Sequence, residues 1–276
     1  DMDLAISFSD FIQQMFSSPV LLITVLLTLG EIFVNGWTDA PNAIATCIGT
    51  RCMKARSAIM LSAVFNFLGV LIMTHINSSV AFTISNMVDF GGNSQEALIA
   101  LCAALFSIVV YSVAASWFGI PTSESHSLIA GLSGAAIAIH NGIGGINLSE
   151  WVKVIYGLVM SLLLGFIIGW VFCKLITVIC ARMDRRRTNG FFKGAQIFGA
   201  AAMSFMHGAQ DGQKFIGVLF LGIAFCNGES GVVGMSIPVW LMLLCSLVMG
   251  LGTSVGGEKI IKSVGVDLVR LDKYQG

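Results

Sequence analysis

Three short stretches of the chain set ionisable and amide side chains beside glycine or proline within otherwise apolar sequence. They are Asn35-Gly36-Trp37-Thr38-Asp39-Ala40-Pro41-Asn42, Gly119-Ile120-Pro121-Thr122-Ser123-Glu124-Ser125-His126 and His207-Gly208-Ala209-Gln210-Asp211-Gly212-Gln213-Lys214. A helix broken at membrane depth frees N–H and C=O groups that protein, ion or substrate must satisfy. The N-terminus of a half-helix offers free N–H groups and the positive end of the dipole, which suits an anion. Asp39 and Asp211 stand where they could cap the half-helices that follow, with Pro41 in the first turn. Ser123 or Ser125 could cap a half-helix over 127–139. The hydroxyls of Thr38, Thr122, Ser123 and Ser125 are neutral donors for an oxyanion, and Gln210 adds an amide. Carboxylates would repel that anion unless a cation sits between them or the anion carries a proton. Asp39, Asn42 and Asp211 are oxygen ligands suited to Na⁺. A protonated oxyanion can instead donate a hydrogen bond to a carboxylate, which fully ionised sulfate cannot do.

Each of these residues also has a bland reading. Asp39 can be a helix cap and nothing more, although an acid within a membrane span is functional by default. Glu31 lies one turn before Asn35 and either steadies the break or serves as a coupling group. His126 and His207 are packing residues or charge partners. Lys214 stands three residues after Asp211, so both can share one helical face. An isolated charge at this depth costs about 2.5–3.5 kcal/mol on insertion scales, so Lys214 needs a partner. Asp211 and Glu124 are the candidates. The pairing is then a structural salt bridge, an ammonium in the space of a sodium ion, or a direct anion ligand. Lys174, near the inner end of its helix, snorkels.

The elements that must hold these groups are membrane helices. Of 276 residues, 56% are hydrophobic and 11% charged, against about 25% charged in soluble domains. Apolar runs occupy 19–34, 58–74, 97–118, 152–173 and 237–251, where about 20 residues suffice to cross the hydrocarbon core. A net charge of zero gives nucleic-acid binding no electrostatic support. The seven cysteines show no C-x-x-C spacing, so neither zinc nor a disulfide framework is indicated. Asp1, Asp3 and Asp10, with no basic residue among the first twelve, are the reverse of a signal-peptide n-region. The first span is therefore expected to stay in the membrane.

Lys and Arg mark cytoplasmic loops. They cluster at Arg51–Arg56, at Arg182–Lys193 and at Lys259–Lys273, and are absent from 75–96, 140–150 and 227–236. The path expected is 19–50 inward, 57–76 outward, 97–118 inward, 119–140 outward, 151–181 inward, 194–226 outward and 237–252 inward. Crossings 19–50 and 194–226 are expected to be interrupted at their polar stretches, and 119–140 to begin with one. Residues 258–275 place Ile260, Ile261, Val264, Leu268 and Leu271 on one helical face, which predicts an amphipathic helix on the cytoplasmic surface. Trp151 and Trp240 fall at outer ends, where an aromatic belt forms.

The first and third polar stretches align without gaps, Gly36 over Gly208, Asp39 over Asp211 and Asn42 over Lys214. They lie in crossings of opposite direction, which is the pattern of an inverted repeat. With these residues in view the sequence resembles the PiT family of inorganic phosphate transporters. That family carries a signature like G-A-N-D-x-A-N-A in each inverted half and a later P-x-S-T-T-H stretch. Thr38, Gln210 and Lys214 replace asparagines of the signature. Pro121–His126 resembles the second stretch with Glu124 in place of a threonine. Gly252-Thr253-Ser254-Val255-Gly256-Gly257 resembles the family's G-T-x-x-G-G.

The resemblance implies an all-α polytopic membrane protein with an inverted-topology repeat and broken or re-entrant helices. Residues 1–150 form the first repeat, 151–193 a connecting helix and basic loop, and 194–276 a second repeat that stops early, as in a chain lacking its C-terminal part. The function implied is import of inorganic phosphate by Na⁺- or H⁺-coupled symport with alternating access. The setting is the plasma membrane of a bacterium, spanned several times. A homodimer is implied, with bound phosphate, Na⁺ as a candidate second ligand, no other cofactor and no enzymatic activity. Thr38, Asp39, Asn42, Thr122, Ser123, Ser125, Gln210, Asp211 and Lys214 become the substrate set. Glu31, Glu124, His126 and His207 become coupling or charge partners. Two alternatives remain: a permease of the same fold for sulfate or another oxyanion, and an intramembrane aspartyl hydrolase in which Asp39 and Asp211 share a proton and activate water.

Overall fold

The structure, a computed structural model, describes residues 7–91, 93–120, 122–229, 237–255, 261–262, 265 and 271–275, with the side chains of 185–187 outside that description. Among the described residues ten α-helices follow one another: α1 (Phe8–Ser17), α2 (Pro19–Thr38), α3 (Asn42–Gly49), α4 (Ala55–Ile76), α5 (Ser79–Ser85), α6 (Ser94–Phe118), α7 (Glu124–His140), α8 (Leu148–Cys180), α9 (Arg185–Cys226) and α10 (Val239–Val255). No strand occurs among the described residues; an isolated bridge between Val88 and Ile146 ties the loop before α6 to the loop before α8. Among the described residues four stretches are long and apolar enough to cross a membrane: Pro19–Gly49, Ala55–Ile76, Ser94–Phe118 and Leu148–Cys180.

The core is built around the C-terminal half of α9. Phe215, Ile216, Leu219, Phe220 and Ile223 meet Leu21, Val25 and Ile32 of α2, Leu101, Leu105 and Ile108 of α6 and Leu241, Cys245 and Met249 of α10. A smaller cluster joins Ile44 and Cys47 of α3 to Ala58 of α4 and Ala200 of α9. By contrast α8 buries none of its residues. Helices of this polarity buried by protein on one side only keep apolar residues all round, because lipid replaces protein as the neighbour.

The break after α2 is present. The helix ends at Thr38 and restarts at Asn42, with Asp39 as C-cap and Pro41 ahead of the first turn of α3. Pro41 has no N–H for the carbonyl four residues earlier and its ring crowds that carbonyl. The break expected in crossing 194–226 is absent: α9 runs without interruption through His207–Lys214. Its glycines serve close packing instead. A Cβ on Gly208 would collide with the backbone of Asn66, and one on Gly212 with the side chain of Val70, both on α4. The capping role expected of Asp211 therefore falls away, since it lies mid-helix.

Asp39 also caps differently from expectation. Its carboxylate accepts from the Asn42 side chain at 2.9 Å, and α3 has no side-chain cap. Ser123 does cap α7, accepting from the His126 amide at 3.4 Å. Gly119 ends α6 in the left-handed conformation, φ 69°, which glycine adopts without the Cβ penalty. The short α5 stands where the sequence predicts only an outer loop. The amphipathic helix expected over 258–275 lies largely outside the described residues.

Candidate functional site

The α2–α3 break, the start of α7 and the middle of α9 converge on one polar cluster. Lys214 Nζ lies 2.6 Å from Asp211 Oδ1 and donates also to Ser125 Oγ. Ser125 Oγ stands 3.4 Å from the same Asp211 oxygen. Asn35, on the last turn of α2, donates to Asp211 Oδ2 at 3.1 Å. Asp211 is thus met from α2, from α7 and from its own helix, as a carboxylate in an apolar bundle must be.

His207 links the two aspartates. Its Nε2 is 3.5 Å from Asp211 Oδ2 and 3.8 Å from Asp39 Oδ2, and it has no hydrogen-bond partner. Its Nδ1 is held by Asn66 Oδ1 of α4 at 2.8 Å. Asn66 in turn donates to Thr253 of α10 and to Ser62, each at 3.3 Å. The G-T-x-x-G-G threonine thus braces the histidine through Asn66. Ligand atoms of Asp39, His207 and Asp211 all lie within 4.8 Å of one another, a spacing at which the three could hold a cation. This set differs from Asp39, Asn42 and Asp211. His207 takes the place of Asn42, whose amide nitrogen is engaged with Asp39. Side chains of Asp39, His207, Asp211 and Lys214 are 19, 14, 9 and 17% exposed, so the cluster is lined by protein yet reachable.

A second polar group lies behind the first. Thr38 donates to Glu124 Oε1 at 3.0 Å and to the Val34 carbonyl at 2.8 Å. Ser112 of α6 donates to Glu124 Oε2 and lies 3.5 Å from Glu31 Oε1. Glu31, Asn35, Ser112 and Glu124 are all fully buried.

The structure therefore brings together Asp39, Asn42, Ser125, Asp211, Lys214 and His207, and joins Thr38 to Glu124 and Glu31. Ser123 serves as a cap. Gln210 is exposed on α9 and His126 is exposed on α7. Thr122 makes no hydrogen bond among the described residues. Asn35 was noted at the start of the first break but given no role, and Asn66 and Ser112 were missed by motif reading. Their signal was a lone polar residue inside an apolar span, which lipid would penalise and a partner must explain.

A chain with four apolar spans and no strand among its described residues, and with charged side chains gathered between its helices, is an all-α, multi-pass membrane protein. Comparison with known proteins then sets its relatives. A profile of the phosphate transporter family matches residues 35–276, and the chain belongs to that family. It is 33% identical over 260 residues to the "Probable low-affinity inorganic phosphate transporter" of Bacillus subtilis (strain 168), covering 93% of this chain and 76% of that one. It is 34% identical to a protein of the same description from Mycobacterium bovis, covering 93% and 60%. With "Low-affinity inorganic phosphate transporter PitB" of Escherichia coli (strain K12) the identity is 30%, covering 80% and 49%. The chain thus spans between half and three-quarters of these relatives' lengths. A solved structure described as "The sodium-dependent phosphate transporter" superposes with a TM-score of 0.82 at 21% identity, covering 94% of this chain and 80% of that one; that likeness is one of fold. The relatives are named as transporters and not as enzymes.

Proposed function

We infer that this chain is the part of an inorganic phosphate importer that carries the substrate site, and that transport is coupled to a cation with alternating access. The observation that supports this reading is the cluster of Asp39, His207, Asp211 and Lys214 at the break between α2 and α3. It combines a cation, two anions and the neutral hydroxyl of Ser125 in a cluster whose side chains keep some exposure. Phosphate that keeps a proton can accept from Lys214 and Ser125 and donate to a carboxylate. Sulfate lacks the proton and meets the carboxylates as repulsion. Thr38, Asn42, Thr122 and Ser123 complete the substrate set on movement of the breaks. Asp39 and Asp211, with His207 between them, form the cation-binding side. A hydrolase reading has no matching geometry: the aspartates are separated by His207 and do not bond to each other.

The test is uptake of labelled phosphate into proteoliposomes under a sodium gradient, under a pH gradient and under neither, with and without excess sulfate. Accumulation under one gradient that sulfate leaves unchanged is the expected outcome. Equal uptake of sulfate would replace phosphate by oxyanions in general. Uptake that ignores both gradients would remove the coupling.

A further inference from the structure

Behind the substrate cluster the structure holds two carboxyl groups that have too few hydrogens around them. The Ser112 hydroxyl has one hydrogen, and it faces both Glu31 Oε1 and Glu124 Oε2. The Thr38 hydroxyl has one, and it faces both Glu124 Oε1 and the Val34 carbonyl. Two hydrogens are thus set against four carboxyl oxygens and a carbonyl, and a carboxylate supplies none. Glu31 Oε2 has no partner at all, nor has Asn35 Oδ1 one turn further along α2. Both side chains are fully buried. The Ser112 hydroxyl stands between the Glu31 and Glu124 carboxyls, which share it. As two anions they would repel in a medium that screens little, and neither has a cationic partner among the described residues.

The geometry points to a one-proton site formed by Glu31 and Glu124, distinct from the Asp39–Asp211 cluster, whose shared proton ties the start of α7 to α2 and is a coupling ion of the transport cycle beside any cation held by that cluster. This rests on the transport reading given above. A proton on one carboxyl supplies the hydrogen that the shared Ser112 hydroxyl cannot give to both and removes one of the two charges. The Ser112 hydroxyl already stands between the two carboxyls and what the group lacks is hydrogen, which is why a proton is the occupant. Loss of the proton leaves two anions facing each other across the α2–α7 contact. Glu124 precedes Ser125, which holds Lys214 and Asp211, and Thr38 precedes Asp39. Separation of the pair therefore moves both breaks that line the substrate cluster. The proton arrives from the side on which the site is open and leaves to the other side after the breaks have moved.

The charges facing the pair are few. Asp39 acts on Glu124 from the α2–α3 break. α9 contributes Asp211, Lys214 and His207, which are engaged with one another, with Ser125 and with Asn66. The other titratable residues on the neighbouring helices are Glu96, Cys102 and the exposed Tyr111 of α6, the exposed His126 and His140 of α7 and Cys245 of α10.

Two measurements decide the matter. Infrared difference spectra of the purified chain in nanodiscs at neutral pH should show the C=O band of a buried protonated carboxyl. That band should vanish in Glu31→Gln and in Glu124→Gln, and shift in Ser112→Ala. A band that persists in both Gln variants, or no band in the unsubstituted protein, overturns the proton site whatever transport shows. In proteoliposomes Glu31→Gln, which mimics the protonated form, should still exchange labelled phosphate to within about threefold, while accumulation driven by a pH gradient falls at least about tenfold. Undiminished accumulation overturns the coupling role. Selective loss of sodium-driven accumulation instead would put Na⁺ at the pair and overturn the proton. An unsubstituted protein that moves no phosphate defeats the transport reading and leaves the infrared result to judge the pair.

Discussion

The α2–α3 segment and α9 carry the same Gly-x-x-Asp pattern with an amide or amine three residues on, and they fold differently. In the first the helix stops at Thr38, although Asp39 (φ −99°, ψ −39°) and Pro41 (φ −56°, ψ −26°) both keep right-handed helical angles. In the second the helix passes straight through Gly208, Asp211 and Gly212. The aligned residues after each aspartate are Ala40-Pro41 and Gly212-Gln213. Proline removes a helix hydrogen bond outright, while glycine only weakens the helix by about 1 kcal/mol against alanine. That deficit is easily offset where the missing Cβ lets α9 lie against the backbone of α4. One strand of the motif thus makes a hinge and the other a rigid post, and both deliver their aspartates to the same histidine.

The comparison breaks most plainly if a proline is placed in α9. Gln213 is nearly buried and aligns with Pro41. Gln213→Pro should cost about 3 kcal/mol or more, interrupt α9 and abolish uptake. Circular dichroism and the thermal midpoint in detergent would read the loss. An active, equally stable variant would mean that proline is not what separates the two segments.

The next largest effect is expected at Asp211. Asp211→Asn leaves the Lys214 ammonium with Ser125 as its remaining partner, at a cost of about 1–3 kcal/mol once its partial exposure is allowed for. Labelled phosphate uptake should fall at least about a hundredfold. Asp39→Asn should also lose uptake, but with a smaller loss of stability, since Asp39 is bonded to Asn42 and has no lysine to abandon. Full uptake in both variants would reduce the aspartates to structural roles.

These residues also mark how far the sequence could be read. Hydropathy placed the four apolar spans of α2–α3, α4, α6 and α8 to within a few residues, because lipid imposes length, whereas α9 begins nine residues before the start expected at 194. The break at Pro41 was legible because proline has one meaning inside a helix. The break expected at Gly208–Gly212 was not there, because a glycine reads alike as a weak point and as a packing contact, and only the neighbour decides. The neighbour was Asn66, in a different span. For the same reason the pairing of Lys214 with Asp211 was legible as a local spacing, whereas the approach of Glu31 to Glu124 over Ser112 depends on three helices meeting. The seven-residue α5 was hidden in a loop too short to show a period.

A subtler effect is expected at Lys214, which stands where the first segment has Asn42. Lys214→Asn makes the two segments match. If the ammonium occupies space that a sodium ion would otherwise take, uptake by this variant should depend more steeply on sodium concentration than that of the unsubstituted protein. An unchanged sodium dependence in an active variant would leave Lys214 as structure or as a direct phosphate ligand. Binding of phosphate at low sodium would separate those two, since only a ligand weakens it on loss.

The smallest effect is expected where the comparison is most delicate, at Pro41 itself. The backbone through the break already holds helical angles, with Asn42 N bonded to Asp39 O at 3.0 Å and Ala43 N to Ala40 O at 3.1 Å. Pro41→Ala restores an N–H and removes the ring, but the site need not straighten. The Asn42 side chain still holds Asp39, and Thr38 is still bonded to Glu124. Removing a proline also raises the entropy of the unfolded chain, by about 0.4–1 kcal/mol, which opposes any gain from the new hydrogen bond. Stability should therefore change by less than about 1 kcal/mol. The difference should appear instead in dynamics. The new amide at position 41 can bond along the helix, so hydrogen exchange across 38–43 should slow in the variant, and labelled phosphate uptake should fall modestly as the hinge stiffens. Exchange as fast as in the unsubstituted protein, with uptake unchanged, would show that the break is imposed by the contacts of Asp39 and Thr38 and that proline follows it.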